Sequence, residues 1–594
     1  MNNYLMYRLI AVLLVLNLKD VYAQLDPSTF EDTSEVEKQF EQLLEQSTQA
    51  EDSPIFDVLF GDIRRSTIEL RSRIIQDLQR SEGYDNGAYI GSRMKSYQRT
   101  KFSYGEHLSG GVLFEKDAGE QRMNDFASGN VMVSNVDALS KVVVGDYLIE
   151  AGQGVTLWRG FDVAKGADIV SPVRKAARGL IPYSSSDEHS FLRGIAVEVD
   201  FWNVTTQLFY SRRSLSASIN DNGTITTLYT AGYFRTETEE AKRGNVSERL
   251  FGGRGIYHLS EMNSVGLTFY QTEFSKTLFL DNGKRFNGNR FSMLSTDYHV
   301  EYKTTQFFGE WAKVNGVVGG VSGIVMKPST EVQLIAAYRR YPFEFISLHG
   351  LGFGEQLSTS NESGLYLGLR LKLLRSVTFS SYYDQFKFPE PRSNVNFSSK
   401  GHDVFSQLEI RPMRRLDVTC RYQHKVAEAG TIIENSNGFE VRVNDAQRRQ
   451  LVRLNLDYRL TKELRIRGRI ERVFFTVSIS DRSEKGTMFY HDILFNTMMK
   501  LWLNFRVAFF ETDSYDARMY EYENDLRGVL SLPALYGRGV RWYLLIRFKL
   551  ADKIELSAKY SDLLRDDVKR IGSGLDQLPG SHDNRIGVQV DFRF

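Results

Sequence analysis

Toward its C-terminus the chain alternates apolar and polar residues one for one. Ile586, Val588, Val590, Phe592 and Phe594 are interleaved with Gly587, Gln589, Asp591 and Arg593. The same rhythm runs through 416–422, 452–460, 464–471 and 541–550. A period of two puts one set of side chains on each face of a β-strand. These segments run about ten residues, the length a tilted strand needs to cross a bilayer. Strands of soluble proteins average only ~5–6 residues.

The connections carry a second pattern. Tight turns are predicted at 374–375, 413–414, 461–462, 499–500 and 551–552. Between them fall polar stretches at 343–363, 389–400, 428–445, 476–485, 514–538 and 565–582. Short periplasmic turns alternating with long external loops mark outer-membrane barrels, whereas a soluble sandwich has no reason to sort its loops by parity. The predicted fold class is all-β, a large antiparallel transmembrane β-barrel of about 22–26 strands over 61–594. Such a barrel encloses either an aqueous or a plugged lumen. Phe594, ending an alternating strand, reads as an assembly signal, which makes the barrel-assembly machinery and outer-membrane lipid expected partners.

The N-terminus differs in kind. Met1–Ala23 reads as a signal peptide, with Arg8 before a short apolar run and Val21-Tyr22-Ala23 at the cleavage site. The apolar run is too short to span ~30 Å as a helix, and no later segment approaches ~20 apolar residues. Residues 24–60 form an acidic leader in which Val36, Phe40, Leu43 and Leu44 recur at helical spacing. The leader is expected to be a short periplasmic helix or a disordered acidic stretch, with a periplasmic partner for its charge.

Composition is consistent with this picture. Of 594 residues, 42% are hydrophobic and 25% charged, because only alternate strand residues would face lipid. The 30 Tyr and 39 Phe suit interfacial girdles. A net charge of +1 gives no global basic excess for nucleic acid. The single cysteine, Cys420, offers neither a disulfide nor a thiolate metal site within the chain.

Candidate chemistry is confined to the polar faces and one connection. Arg453, Arg459, Arg465, Arg467 and Arg469 form rows that would cost ~2–4 kcal/mol each in lipid, so they are placed in the lumen. They form either an anion-attracting wall or ladders with Asp457, Glu463 and Glu471, the ladders being favoured. The stretch 145–193 is too long and polar for a hairpin turn. It offers Asp146, Gln153, Trp158, Lys165, Arg174, Arg178, Glu188 and Arg193 as constriction residues. Its segment 159–191 is expected either to fold into the lumen or to stand outside as a large loop. The nine His are scattered without zinc-protease spacing, and no helix pattern follows the glycines of 350–354. No enzyme activity, cofactor or metal is expected.

Several longer words carry a family likeness. They are Gly111-Val-Leu-Phe-Glu-Lys-Asp-Ala-Gly-Glu120, Gly145-Asp-Tyr, Gly152-Gln-Gly, Leu157-Trp, Lys165, Pro182-Tyr-Ser, Glu188 and Phe191-Leu-Arg-Gly194. Asn361-Glu-Ser-Gly-Leu-Tyr-Leu-Gly-Leu369 and Tyr383-Asp-Gln-Phe-Lys-Phe-Pro389 extend it. With these words the sequence resembles the Bacteroidetes/Chlorobi-type outer-membrane barrels that usually carry N-terminal helix-hairpin-helix repeats. In that family the repeats suggest DNA handling. Here only 46–60 stands where they would lie, which weakens nucleic acid as a partner. The expected function is a transport or translocation channel with a loop-constricted lumen. The alternative is a structural or polymer-binding envelope protein holding polysaccharide or DNA.

Overall fold

The computed structural model describes residues 66–594 except 161, 394, 435–436 and 498–499. The expected signal peptide at 1–23, the expected acidic leader at 24–60 and the stretch 46–60, where the family resemblance would place repeats, lie outside the described residues. Twenty-four long antiparallel strands form one cylinder. The first, Ser66–Asp77, pairs with the second, Met94–Tyr104, on one side and with the last, His582–Arg593, on the other. An even number of strands lets a meander close antiparallel to itself. Arg71 and Asp591 reinforce this seam at 2.7 Å, and Asp77 and Arg585 do so at 2.6 Å. The Phe594 amide donates to the Ile68 carbonyl and the Ile68 amide donates back, so the terminal residue is itself a rung of the closure.

Hairpin connections at 105–107, 137–138, 202–203, 261–262, 303–304, 375–376, 414–415 and 552–553 gather at the end where Ser66 and Phe594 lie. The opposite end carries 78–93, 117–125, 151–191, 216–245, 342–361, 513–537 and 566–581. The polar stretches 428–445 and 476–485 prove shorter as connections than their composition suggested. Leu416–Glu434 and Glu440–Arg459 continue pairing to Glu434↔Glu440. The next hairpin turns over 478–481 alone. Polar residues extend those ladders past the membrane level, where both faces meet water.

Outward positions are apolar and exposed: Ile586, Val588, Ile546, Phe548, Val452, Leu456 and Ile470 all belong to this surface. Inward neighbours such as Gln589, Tyr543, Leu545, Arg453 and Glu471 are buried. Among the described residues no helix is long and apolar enough to cross a membrane, and the crossings are strands. An apolar outer band on a closed cylinder is the only sheet that lipid tolerates, because no edge is left unpaired. The described chain is an outer-membrane β-barrel. Ile546→Arg is therefore expected to cost ~2–4 kcal/mol in denaturant unfolding from liposomes. A near-neutral result would remove Ile546 from the lipid face.

Candidate functional site

The lumen is filled. Three connections from the external end fold inward, and their side chains make the core with the inner face of the wall. Ala151, Val155, Leu157 and Leu180 of the first pack with Phe345 and Ile346 of the second against Tyr147, Phe209, Tyr270, Met293 and Val321. Deeper in sequence, Ala167, Ile169, Val170 and Val173 meet Phe353, Tyr366, Tyr382 and Phe405. The third connection places Met519 and Leu535 against Val473, Met488 and Phe510.

The first connection enters through a turn that the sequence had marked. Gly152 and Gly154 have φ of 52° and 78°, a region that disfavours residues with a Cβ. A Cβ on Gly152 would stand 2.7 Å from a Glu310 carboxylate oxygen. That carboxylate, fully buried on the wall strand Thr305–Val314, accepts amides from Gln153 at 2.7 Å, Val155 at 2.9 Å and Thr156 at 3.0 Å. The turn is thus held by one wall side chain, and three amides that would otherwise be buried unpaired are satisfied.

Lys165 lies at the centre of the next anchor. Its ammonium is 2.6 Å from Glu355, 2.9 Å from Asp384 and 3.6 Å from Asp403. Glu355 comes from the second inner connection and also meets Lys425. Asp384 and Asp403 come from the wall strands Val377–Phe388 and Ser399–Met413. Arg339, itself buried, bridges Glu362 at 2.5 Å and Asp384 at 2.8 Å. Four carboxylates and three cations thus join two inner segments to the wall, which is how buried charge is tolerated.

The other sequence candidates separate into roles. Gln153 caps the chain at Lys175, whose amide it accepts at 2.9 Å. Lys175 reaches Asp162 at 2.6 Å and sits 4.8 Å over the Trp158 ring. Trp158 donates its amide to His349 of the second inner connection. Arg178 binds Glu150 at 2.8 Å. Asp146 and Arg193 lie on neighbouring wall strands and pair with each other at 2.6 Å. Arg174 is half-buried in the fields of Glu301 and Asp168. Glu188 lines a cavity, and burial together with Glu120 and Asp117 pushes its carboxyl well above the usual range. Burial beside Asp117 and Asp125 likewise pushes Glu120, on the external connection 117–125, up to about 8. The inward segment begins at Ala151, earlier than the expected 159, because the strand Leu139–Glu150 ends there.

Four of the five row arginines face inward and are neutralised. Arg453 binds Glu471, and Arg465 binds Asp457. Arg467 is 3.3 Å from Asp492, and Arg469 is 2.6 Å from Glu521 and 2.7 Å from Asn455. Glu463 takes no part; it turns onto Thr461 at the periplasmic end. Arg459 is exposed there as well.

Sequence reasoning missed the third inner connection, 513–537. Its Glu521 meets Arg506 at 2.5 Å, its Glu523 meets Lys559 at 3.0 Å and Arg541, and its Asp525 meets Lys559 at 2.6 Å. The signal was the one-on, one-off spacing of these three acids inside a connection, facing Arg506, Arg541 and Lys559 on wall strands. A cavity of about 470 Å³ remains between this segment, the Glu188 end of the first and the seam strands. Both charge signs line it, with Arg73, Arg541 and Lys559 facing Glu188, Asp525 and Asp583.

No family model matches the chain, and no curated protein matches it. Among solved structures it is similar to the copper transporter OprC at a TM-score of 0.43 and 9% identity, covering 89% of this chain and 80% of that one. The FrpB iron transporter from Neisseria meningitidis, F5-1 variant, gives 0.41 and 10%, covering 90% and 82%. The siderophore receptor PirA from Acinetobacter baumannii gives 0.41 and 9%, covering 89% and 80%. Likeness at this level transfers neither substrate nor mechanism.

Proposed function

We propose that this barrel carries a polar solute across the outer membrane and that its resting state is closed by the 151–191 segment, backed by 342–361 and 513–537. The observation that carries this reading is the anchoring of inner segments to the wall through ion pairs centred on Lys165 and Arg506. A perimeter of twenty-four strands encloses far more space than its own side chains can fill. Here the space is filled by segments held by apolar packing and by buried ion pairs, and water can replace the ion pairs when a segment moves. The mixed-charge cavity beside the seam is the space through which a polar solute would pass.

Single-channel recording in planar bilayers tests this. The full chain is expected to conduct weakly. A variant lacking 162–188, bridged by a short Gly/Ser linker, is expected to conduct roughly tenfold more, as a wide lumen relieved of one of its three inner segments would. Equal conductance in both, with the barrel intact, removes the segment as a closure.

A second reading is favoured by the cavity's position near the external connections 78–93 and 566–581. It is capture of an envelope polymer without transport, with DNA as the version that the family resemblance suggests. Absence of current in both proteins together with retention of the polymer would select it.

A further inference from the structure

The lumen cations described above are mostly paired, whereas among the described residues a group of outward ones is not. On six consecutive wall strands the outward side chains are mostly apolar from the periplasmic turn upward and basic groups appear toward the external end. On Val377–Phe388 Tyr383 is followed by Gln385 and Lys387. On Ser399–Met413, read from its periplasmic end, Leu408, Ser406 and Val404 precede His402 and Lys400. On Glu440–Arg459, read the same way, Leu456, Leu454 and Val452 precede Gln450 and Arg448. Arg472 follows Ile470 on Leu464–Val477, and Lys485 lies beyond Phe489 on Arg482–Thr497. Leu416–Glu434 contributes His424 above Tyr422.

Register brings these groups side by side. Lys387 lies directly opposite Lys400. His402 lies opposite Val426, which lies opposite Arg448. Arg472 lies opposite Val452, and Lys485 opposite Phe474. The His402 and His424 rings stack 5.9 Å apart within the group. Lys387, Lys400, Arg448, Arg472 and Lys485 are all exposed. Among the described residues none of the five forms an ion pair, while Arg472 lies 5.0 Å from the Phe474 ring. The nearest outward carboxylate, Glu428, accepts the Lys400 backbone amide, and Glu434 and Glu440 stand farther out at the hairpin tip. Like charges set directly opposite, as at Lys387 and Lys400, destabilise a sheet unless an anion lies between them.

We infer that this collar binds the phosphate groups of an anionic lipid in the outer leaflet. The cations sit at the edge of the lipid-facing rows, where a headgroup and not a soluble ligand is the natural neighbour. Their sign, and the presence of several on adjacent strands, suit a headgroup with more than one phosphate. The inference is independent of whether the lumen conducts.

The test uses the full chain in phosphatidylcholine micelles mixed with a bisphosphorylated glucosamine glycolipid, with retained lipid counted by native mass spectrometry. Wild type is expected to retain the glycolipid, and the variant K387Q/K400Q/R448Q/R472Q/K485Q to retain about tenfold less or lower, since each surface cation contributes roughly a fivefold preference. K387R/K400R/K485R keeps the charge and is expected to retain it as wild type does. Matched melting profiles show that both variants fold. Equal retention by the quintuple variant, displacement by inorganic phosphate at the same concentration, or preference for an acidic polypeptide over the glycolipid each overturns the inference.

Discussion

Lys165→Met is expected to raise the open probability of the barrel more than any other single substitution in the 151–191 segment. Methionine keeps much of the aliphatic bulk near the Phe386 ring, which the Lys165 ammonium approaches at 5.9 Å. It removes the positive charge shared by Glu355, Asp384 and Asp403, leaving Arg339 and Lys425 to face four buried carboxylates. Breaking a buried pair by deleting one partner costs ~3–5 kcal/mol. That cost falls on the closed state, because a displaced segment returns Glu355 to water. The shift toward opening is therefore about two to four orders of magnitude. Open probability in planar bilayers and protease access to 162–188 read it directly. Adding Asp384→Asn should recover part of the loss. An unchanged open probability in a barrel that melts normally would show that Lys165 does not hold the segment.

Arg506→Met is the corresponding change at the other inner anchor. Arg506 binds Asp492 at 2.8 Å and Glu521 at 2.5 Å, and it donates to the Tyr522 carbonyl. Its removal leaves Arg467 for Asp492 and Arg469 for Glu521, so the expected cost stays near ~3 kcal/mol, the lower part of the range for a broken buried pair. Hydrogen exchange should accelerate over 513–537 and leave 151–191 protected, because no ion pair described above links the two networks. Simultaneous loosening of both segments would mean that they open as one unit.

The wall was legible in the sequence because each strand writes its own alternation, and the alternation survives wherever one face meets lipid. Strand number was harder. Leu108–Lys116 and Val317–Met326 carry glycines where an apolar or polar mark would stand, so the pattern fades there. The inner anchors were visible only in part. Gly152-Gln-Gly announced its turn, and the words containing Glu362 and Asp384 stood out, yet nothing local told what they bind. Lys165 and Asp384 are 219 positions apart, and a single sequence does not say which lumen carboxylate a loop cation will meet. The acids at 521, 523 and 525 were passed over because a polar connection was read as external by default.

Seam pairing between Ser66–Asp77 and His582–Arg593 has a kinetic meaning. Arg71 and Asp591 are 520 positions apart, about as non-local as two partners in this chain can be. Contacts of that separation form slowly, and until they form the opening strand presents bare donors and acceptors to any other chain. Closure thus waits on the last strand, and a polypeptide lacking His582–Arg593 would leave Ser66–Asp77 with an open, aggregation-prone edge.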